Sequence, residues 1–138
     1  MHAIVSLYRP ELIEGVDYVA DCIDMVSAKL DLIQNCKEKN IPIISSMGTG
    51  NKKNASSLEI TDISKTINDS LARVMRKELR TRDIRHLTVV YSPEEPMEAQ
   101  QLEDPQPGKR SVIGSLVWVT ASAGLLLTQH IITELIWQ

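Results

Sequence analysis

The sequence predicts an α/β fold, a mainly parallel sheet carrying helices on both faces. Two observations carry that reading. Short apolar runs such as Ile41–Ser46 and His86–Tyr91 have the length and β-branched content of strands buried on both faces. Between the runs lie segments with a 3.6-residue apolar period, and strand, helix, strand in that rhythm is how parallel strands are joined. At 138 residues the chain is expected to form one domain, residues 1–138, with a core of its own.

Each element follows in order. His2–Tyr8 reads as a short strand, and Pro10–Gly15 as a helical turn or two with proline at an early position. Tyr18–Ile23 is an apolar-leaning strand. Ser27 has the residue type of an N-cap, and Leu30, Ile33 and Cys36 mark a helix that Asn40-Ile41-Pro42 ends. Ile41–Ser46 is the next strand and Leu58–Ile63 a further extended segment. Asp69 or Ser70 caps a helix running to about Arg82, and His86–Tyr91 is a strand. Residues 92–110 contain four prolines and five carboxylates, the composition of a mobile acidic loop. Leu116–Val119 reads as a terminal strand that turns into a helix from about Ala121 to Ile136.

Composition narrows the function. Fifteen Lys+Arg against eighteen Asp+Glu give a net charge of −3, which excludes a uniformly basic nucleic-acid binder but not a local basic patch. Two cysteines, Cys22 and Cys36, are too few for a disulfide framework or a zinc cage, so a reducing, cytoplasmic setting is expected. The N-terminal residues lack the basic and long apolar regions of a secretory signal. Residues 111–132 carry no acidic or basic side chain except His130, long enough to raise a membrane span over 112–132. Six hydroxyl and amide side chains and two glycines dilute that run, so a buried core element is expected. Peripheral or single-pass membrane association is the alternative.

In parallel sheets ligands sit at the carboxyl ends of the strands, which directs attention to the residues after Ile23, Ser46 and Tyr91. Asp24 closes the run Asp17-Tyr18-Val19-Ala20-Asp21-Cys22-Ile23-Asp24. A carboxylate in that place can hold Mg²⁺ against nucleotide phosphates; equally, Asp24 can cap the following helix while Asp21 pairs with a neighbouring base. Lys29 is placed to reach the same phosphates or to pair with Asp24. Gly48-Thr49-Gly50 follows a strand and is either a short phosphate-facing loop or a plain turn. No Gly-x-Gly-x-x-Gly or Walker-type loop occurs in the chain.

Tyr18–Asp24, followed by Ile41-Pro42-Ile43-Ile44-Ser45-Ser46-Met47-Gly48-Thr49-Gly50-Asn51-Lys52, resembles the ubiquitin-activating-like adenylating enzymes, which include those of molybdopterin and thiamine biosynthesis. Asp62-Ile63-Ser64-Lys65-Thr66, Leu71–Arg80 and Val119–Gly124 narrow the resemblance to the tRNA threonylcarbamoyladenosine dehydratase branch. It covers nearly the whole chain and corresponds to the second half of such proteins. The family's glycine-rich ATP loop and an arginine lie upstream of the position matching Met1. The chain is therefore expected to be a partial adenylating domain, a Rossmann-like sheet lacking the N-terminal glycine-rich half.

The resemblance implies ATP-dependent cyclisation of threonylcarbamoyladenosine in tRNA through an acyl adenylate, with ATP and Mg²⁺ as cofactors. It implies Asp24 as the Mg–ATP ligand, with Lys29 assisting and Gly48 and Gly50 beside the nucleotide. It also implies a homodimer, and a sulfur-transfer protein is a further possible partner. Between Lys65 and His86 seven basic residues face three acidic ones, a local excess suited to tRNA phosphates. Wheel geometry puts Leu71, Val74, Met75 and Leu79 on one side of the helix and Arg73, Arg76, Lys77 and Arg80 on the other. The alternative for that basic face is a solvated surface partnered by the acidic loop. Two readings compete for the whole chain: a pseudoenzyme that only binds a partner, and an enzyme adenylating the C-terminus of a sulfur-carrier protein.

Overall fold

A computed structural model describes residues 9–97 and 114–137. After a 3₁₀ turn at Pro10–Ile13 come β1 (Val19–Asp21), α1 (Val26–Glu38), β2 (Ile43–Ser46), β3 (Glu59–Asp62), α2 (Ser70–Thr81), β4 (Thr88–Tyr91) and α3 (Val117–Ile136). The four strands form one sheet in the order β1-β2-β4-β3. β1, β2 and β4 run parallel, with Val19 opposite Ile43 and Ile44 opposite Thr88. β3 closes one edge antiparallel to β4, Glu59 opposite Tyr91. The mainly parallel α/β sheet with helices on both faces is therefore present, an antiparallel edge strand included.

The period-two alternation of the strands divides the core. Ile43 and Val89 point to the face covered by α1 and α2, where Leu30, Ile33, Cys36, Met75 and Leu79 pack on them. Ile44 and Val90 point to the other face, where Ala123 and Leu127 of α3 lie with the half-buried Tyr18, Leu58 and Ile60. Burial on both faces explains why β2 and β4 are continuous apolar runs instead of alternating ones.

Helix ends follow local chemistry, with corrections to the sequence reading. α1 starts at Val26 behind Met25, whose side chain makes no cap bond, so Ser27 lies inside the first turn and is not its N-cap. Contacts from Lys29, given below, hold the turn instead. Asn40 ends α1 at φ +55°, the left-handed position that asparagine tolerates, and the Ile41 N–H donates to the Cys36 carbonyl at 2.8 Å. Asp69 caps α2, accepting the Ala72 N–H at 2.8 Å. Val74, placed on the apolar side by the wheel, is 42% exposed; Ala72, Met75 and Leu79 are the buried stripe.

The expected strand Leu116–Val119 is overturned: Leu116 is an extended N-cap and α3 already begins at Val117. A helix bonds its own backbone and sets Val119 in register with Ala123 and Leu127, all three buried. α3 is long and apolar enough to cross a membrane by length and composition, its best window averaging a hydropathy of 1.3 with 17% of that window buried. Here one stripe of it packs on the sheet, while Leu125, Ile132, Leu135 and Ile136 are exposed. The strand expected at His2–Tyr8 lies outside the described residues. So does most of the expected mobile loop at 92–110. Its first residues are fixed, with Ser92 buried and the Glu94 carboxylate accepting the Lys53 and Asn54 N–H groups at 3.2 and 3.1 Å.

Candidate functional site

A cavity of about 830 Å³ opens at the carboxyl ends of β1 and β2, where parallel sheets place their ligands. The turn after β1 (Cys22, Ile23, Asp24) forms one wall, the loop after β2 from Ser46 to Lys52 the floor, and the start of α2 a second wall. Thr120, Gly124 and Leu127 of α3 close it above. The volume suits a nucleotide-sized molecule.

Asp24 is exposed at the cavity wall and makes no hydrogen bond or ion pair with any described residue. It does not cap α1, whose N-cap is Met25. Nor does it pair with Lys29. That ammonium is fully buried, 2.8 Å from Asp21 Oδ2 and 3.0 Å from the Ile23 carbonyl, to which it donates. Lys29 is therefore displaced from the role of phosphate contact: its side chain runs under the turn into the core and lines no part of the cavity. Ser45 Oγ donates to the same Asp21 oxygen at 2.5 Å, and the Ile23 N–H donates to Asp21 Oδ1 at 3.0 Å.

Gly48 and Gly50 both line the cavity, but the Gly48 N–H is already committed, donating to Asp69 Oδ2 at 3.0 Å. A Cβ at Gly48 would stand 3.2 Å from Asp69 Oδ1, so a side chain there would press on the carboxylate that caps α2. Burial pushes the Asp69 carboxyl up, against the pull of the Ala72 and Gly48 N–H groups and of Lys52.

Lys52, which sequence reasoning passed over, is buried and ties three loops together. Its Nζ donates to the Asn68 carbonyl at 2.8 Å and to the Glu94 carbonyl. Burial draws its ammonium below the ordinary lysine range, Asp69 and Glu94 opposing. Asn51, at φ +58°, donates its N–H to the Gly114 carbonyl at 2.8 Å and accepts the Met97 N–H at 2.8 Å. Both residues end the Ile41–Lys52 motif, but their bracing role is not legible there, because each acts on segments 16 to 63 positions away.

The basic face of α2 divides. Arg73 is exposed and lines the cavity. Arg76 is half-buried and donates to the Thr66 carbonyl at 2.9 Å and to its hydroxyl, which fixes the turn at Ile63–Lys65. Lys77 and Arg80 are exposed. Of the acidic loop's two described carboxylates, Glu94 and Glu95, Glu94 serves the Lys52–Asn54 loop and not this face. The thiol of Cys22 is exposed and that of Cys36 buried; burial lifts Cys36 to about 11. Among the described residues no three His, Cys, Asp or Glu side chains cluster to hold a metal.

No family model matches the chain. It is 33% identical to the tRNA threonylcarbamoyladenosine dehydratase of Bacillus subtilis over 97% of its own length and 58% of that protein. It is 40% identical to tRNA threonylcarbamoyladenosine dehydratase 2 of Saccharomyces cerevisiae over 58% of this chain and 18% of that one. Among solved structures, Escherichia coli tRNA N6-threonylcarbamoyladenosine dehydratase superposes with a TM-score of 0.77 at 27% identity, covering 91% of this chain and 53% of that chain. Its complex with ATP gives 0.73 at 27% identity, covering 89% and 49%. The chain thus spans about half the length of the Bacillus and Escherichia proteins and a smaller share of the yeast one. In sequence over nearly all of its length, and in fold, it belongs to the tRNA threonylcarbamoyladenosine dehydratase family of ubiquitin-activating-like proteins.

Proposed function

We propose that this chain supplies one wall of a nucleotide site in an enzyme that uses ATP to cyclise threonylcarbamoyladenosine in tRNA. The observation that carries the reading is Asp24: a carboxylate with no partner among the described residues, facing a nucleotide-sized cavity at the carboxyl end of a parallel strand. In this reading the substrate carboxylate is activated as an acyl adenylate, with pyrophosphate leaving, and attack within the activated group closes the ring and releases AMP, a net dehydration.

A magnesium ion fits this donor set, since Mg²⁺ is usually held by one or two carboxylates together with substrate phosphates. Asp24 would hold it, while the Asp69 oxygens are occupied by backbone N–H groups. When bound, the ion would neutralise charge on the departing pyrophosphate. Arg73, on the cavity wall, faces the nucleotide in this reading, and the exposed Lys77 and Arg80 face tRNA phosphates. Arg76, expected beside them, acts through the turn it holds. The working enzyme would be a cytoplasmic homodimer.

The test is a titration of Mg–ATP into wild type and Asp24→Ala by calorimetry. Saturable binding that requires Mg²⁺ and is lost in Asp24→Ala is the expected result. Identical absence of binding in both proteins refutes the reading and favours a module that binds a partner without catalysis.

A further inference from the structure

The turn that carries Asp24 has an unusual support. Asp21 and Lys29 are both fully buried, their charged atoms 2.8 Å apart, and the two halves of this pair grip one residue. Asp21 Oδ1 accepts the Ile23 N–H at 3.0 Å, and Lys29 Nζ donates to the Ile23 carbonyl at 3.0 Å. The peptide group that joins Ile23 to Asp24 is thus held from the core side. The other Asp21 oxygen accepts Ser45 Oγ at 2.5 Å, which anchors the pair to β2. α1 begins with no side-chain cap, so no cap bond shares the task. A buried pair of this kind is weak evidence for stability, because equally bulky neutral groups often serve as well. Its value has to be sought in geometry.

We propose that the Asp21–Lys29 pair, braced by Ser45, positions Asp24 for its ligand. The residues act through the backbone of Ile23 and touch no ligand themselves; they are positioning residues. The assignment rests on the Mg–ATP reading only for what Asp24 binds, since the mechanical part stands on the bonds to Ile23. Outer partners of this sort typically change metal affinity about 10–100-fold when removed.

The test compares wild type, Asp21→Asn/Lys29→Met and the milder Ser45→Ala. The double variant removes both charges at similar volume, and circular dichroism establishes that it is folded at the measuring temperature. Backbone ¹⁵N order parameters at Ile23 and Asp24 are expected to fall from about 0.85 to below about 0.6, with Val89 in β4 unchanged. Mg–ATP affinity is expected to fall about 10-fold or more. A merely structural pair would lower the melting temperature and leave both readouts at wild-type values below it. Should the double variant not fold, Ser45→Ala decides, with a smaller loosening confined to residues 22–25. Unchanged order parameters in the folded variants overturn the proposal whatever the nucleotide does. A wild type that binds no Mg–ATP, with order parameters falling as described, overturns the nucleotide reading and leaves the positioning role supported.

Discussion

Gly48→Ala is a small change whose cost can be worked from the structure. The backbone at Gly48 does not use the left-handed region, where Gly15 is the glycine found, so alanine meets no conformational strain. The obstacle is Asp69: the added methyl would stand 3.2 Å from Oδ1 and 3.5 Å from Oδ2, tighter than ordinary van der Waals contact. Asp69 is 8% exposed and cannot swing into solvent without giving up its bonds. Those are the α2 cap to the Ala72 N–H at 2.8 Å and the bond from the Gly48 N–H at 3.0 Å. Weakening the cap costs about 1 kcal/mol, and loosening a hydrogen bond to a charged acceptor about 1.5 kcal/mol. Alanine restricts the unfolded chain and returns about 0.5–1 kcal/mol. The net loss is about 1.5–2 kcal/mol, or about 5–8 °C in Tm for a chain of this size. Thermal unfolding of wild type, Gly48→Ala, Asp69→Ala and the double variant measures it, and the cycle isolates the contact. In the Asp69→Ala background Gly48→Ala should be neutral or slightly stabilising. A single Gly48→Ala variant as stable as wild type, or an equal loss in both backgrounds, refutes the argument from close approach.

Two further predictions concern reactivity and charge. At pH 8 the Cys36 thiol, buried and lifted to about 11, is thiolate to about one part in a thousand; native protein should take up one alkyl group, at the exposed Cys22, and unfolded protein two. Mass spectrometry after brief alkylation reads this, and labelling of Cys36 ahead of Cys22 would contradict the burial. Lys77→Glu with Arg80→Glu should weaken tRNA binding and reduce the slope of log K against log salt by about 2. Filter binding across a salt series that returns an unchanged affinity and slope removes this face from the interface. Arg76→Ala should instead lower Tm, because its guanidinium holds Thr66.

The chemistry of short segments was written in the chain itself. Apolar runs at Ile43–Ser46 and Thr88–Tyr91 have to be strands buried on both faces, and Asn40 before Ile41-Pro42 has to end a helix, because these preferences belong to a few adjacent residues. A cap at Asp69 or Ser70, the mainly parallel sheet and a cavity at the carboxyl ends of its strands follow from general rules of this kind, and the longer motifs from Tyr18 to Gly124 carried the family. Other properties depend on which distant groups meet. Asp24 and Lys29 are neighbours in sequence, yet the fold sends the ammonium into the core to Asp21 and leaves the carboxylate at the cavity wall. Arg73 and Arg76 are one helical turn apart, and the turn at Ile63–Lys65 alone separates their roles by taking Arg76. Lys52 and Asn51 gained their importance from carbonyls up to 63 residues away. Val117 and Val119 favour a strand locally, but the sheet's second face needed a helix, and burial there outweighed propensity. Local preference is set by neighbours along the chain; the partner of a charge and the covering of a sheet face are set by three-dimensional packing, and no window of sequence contains them.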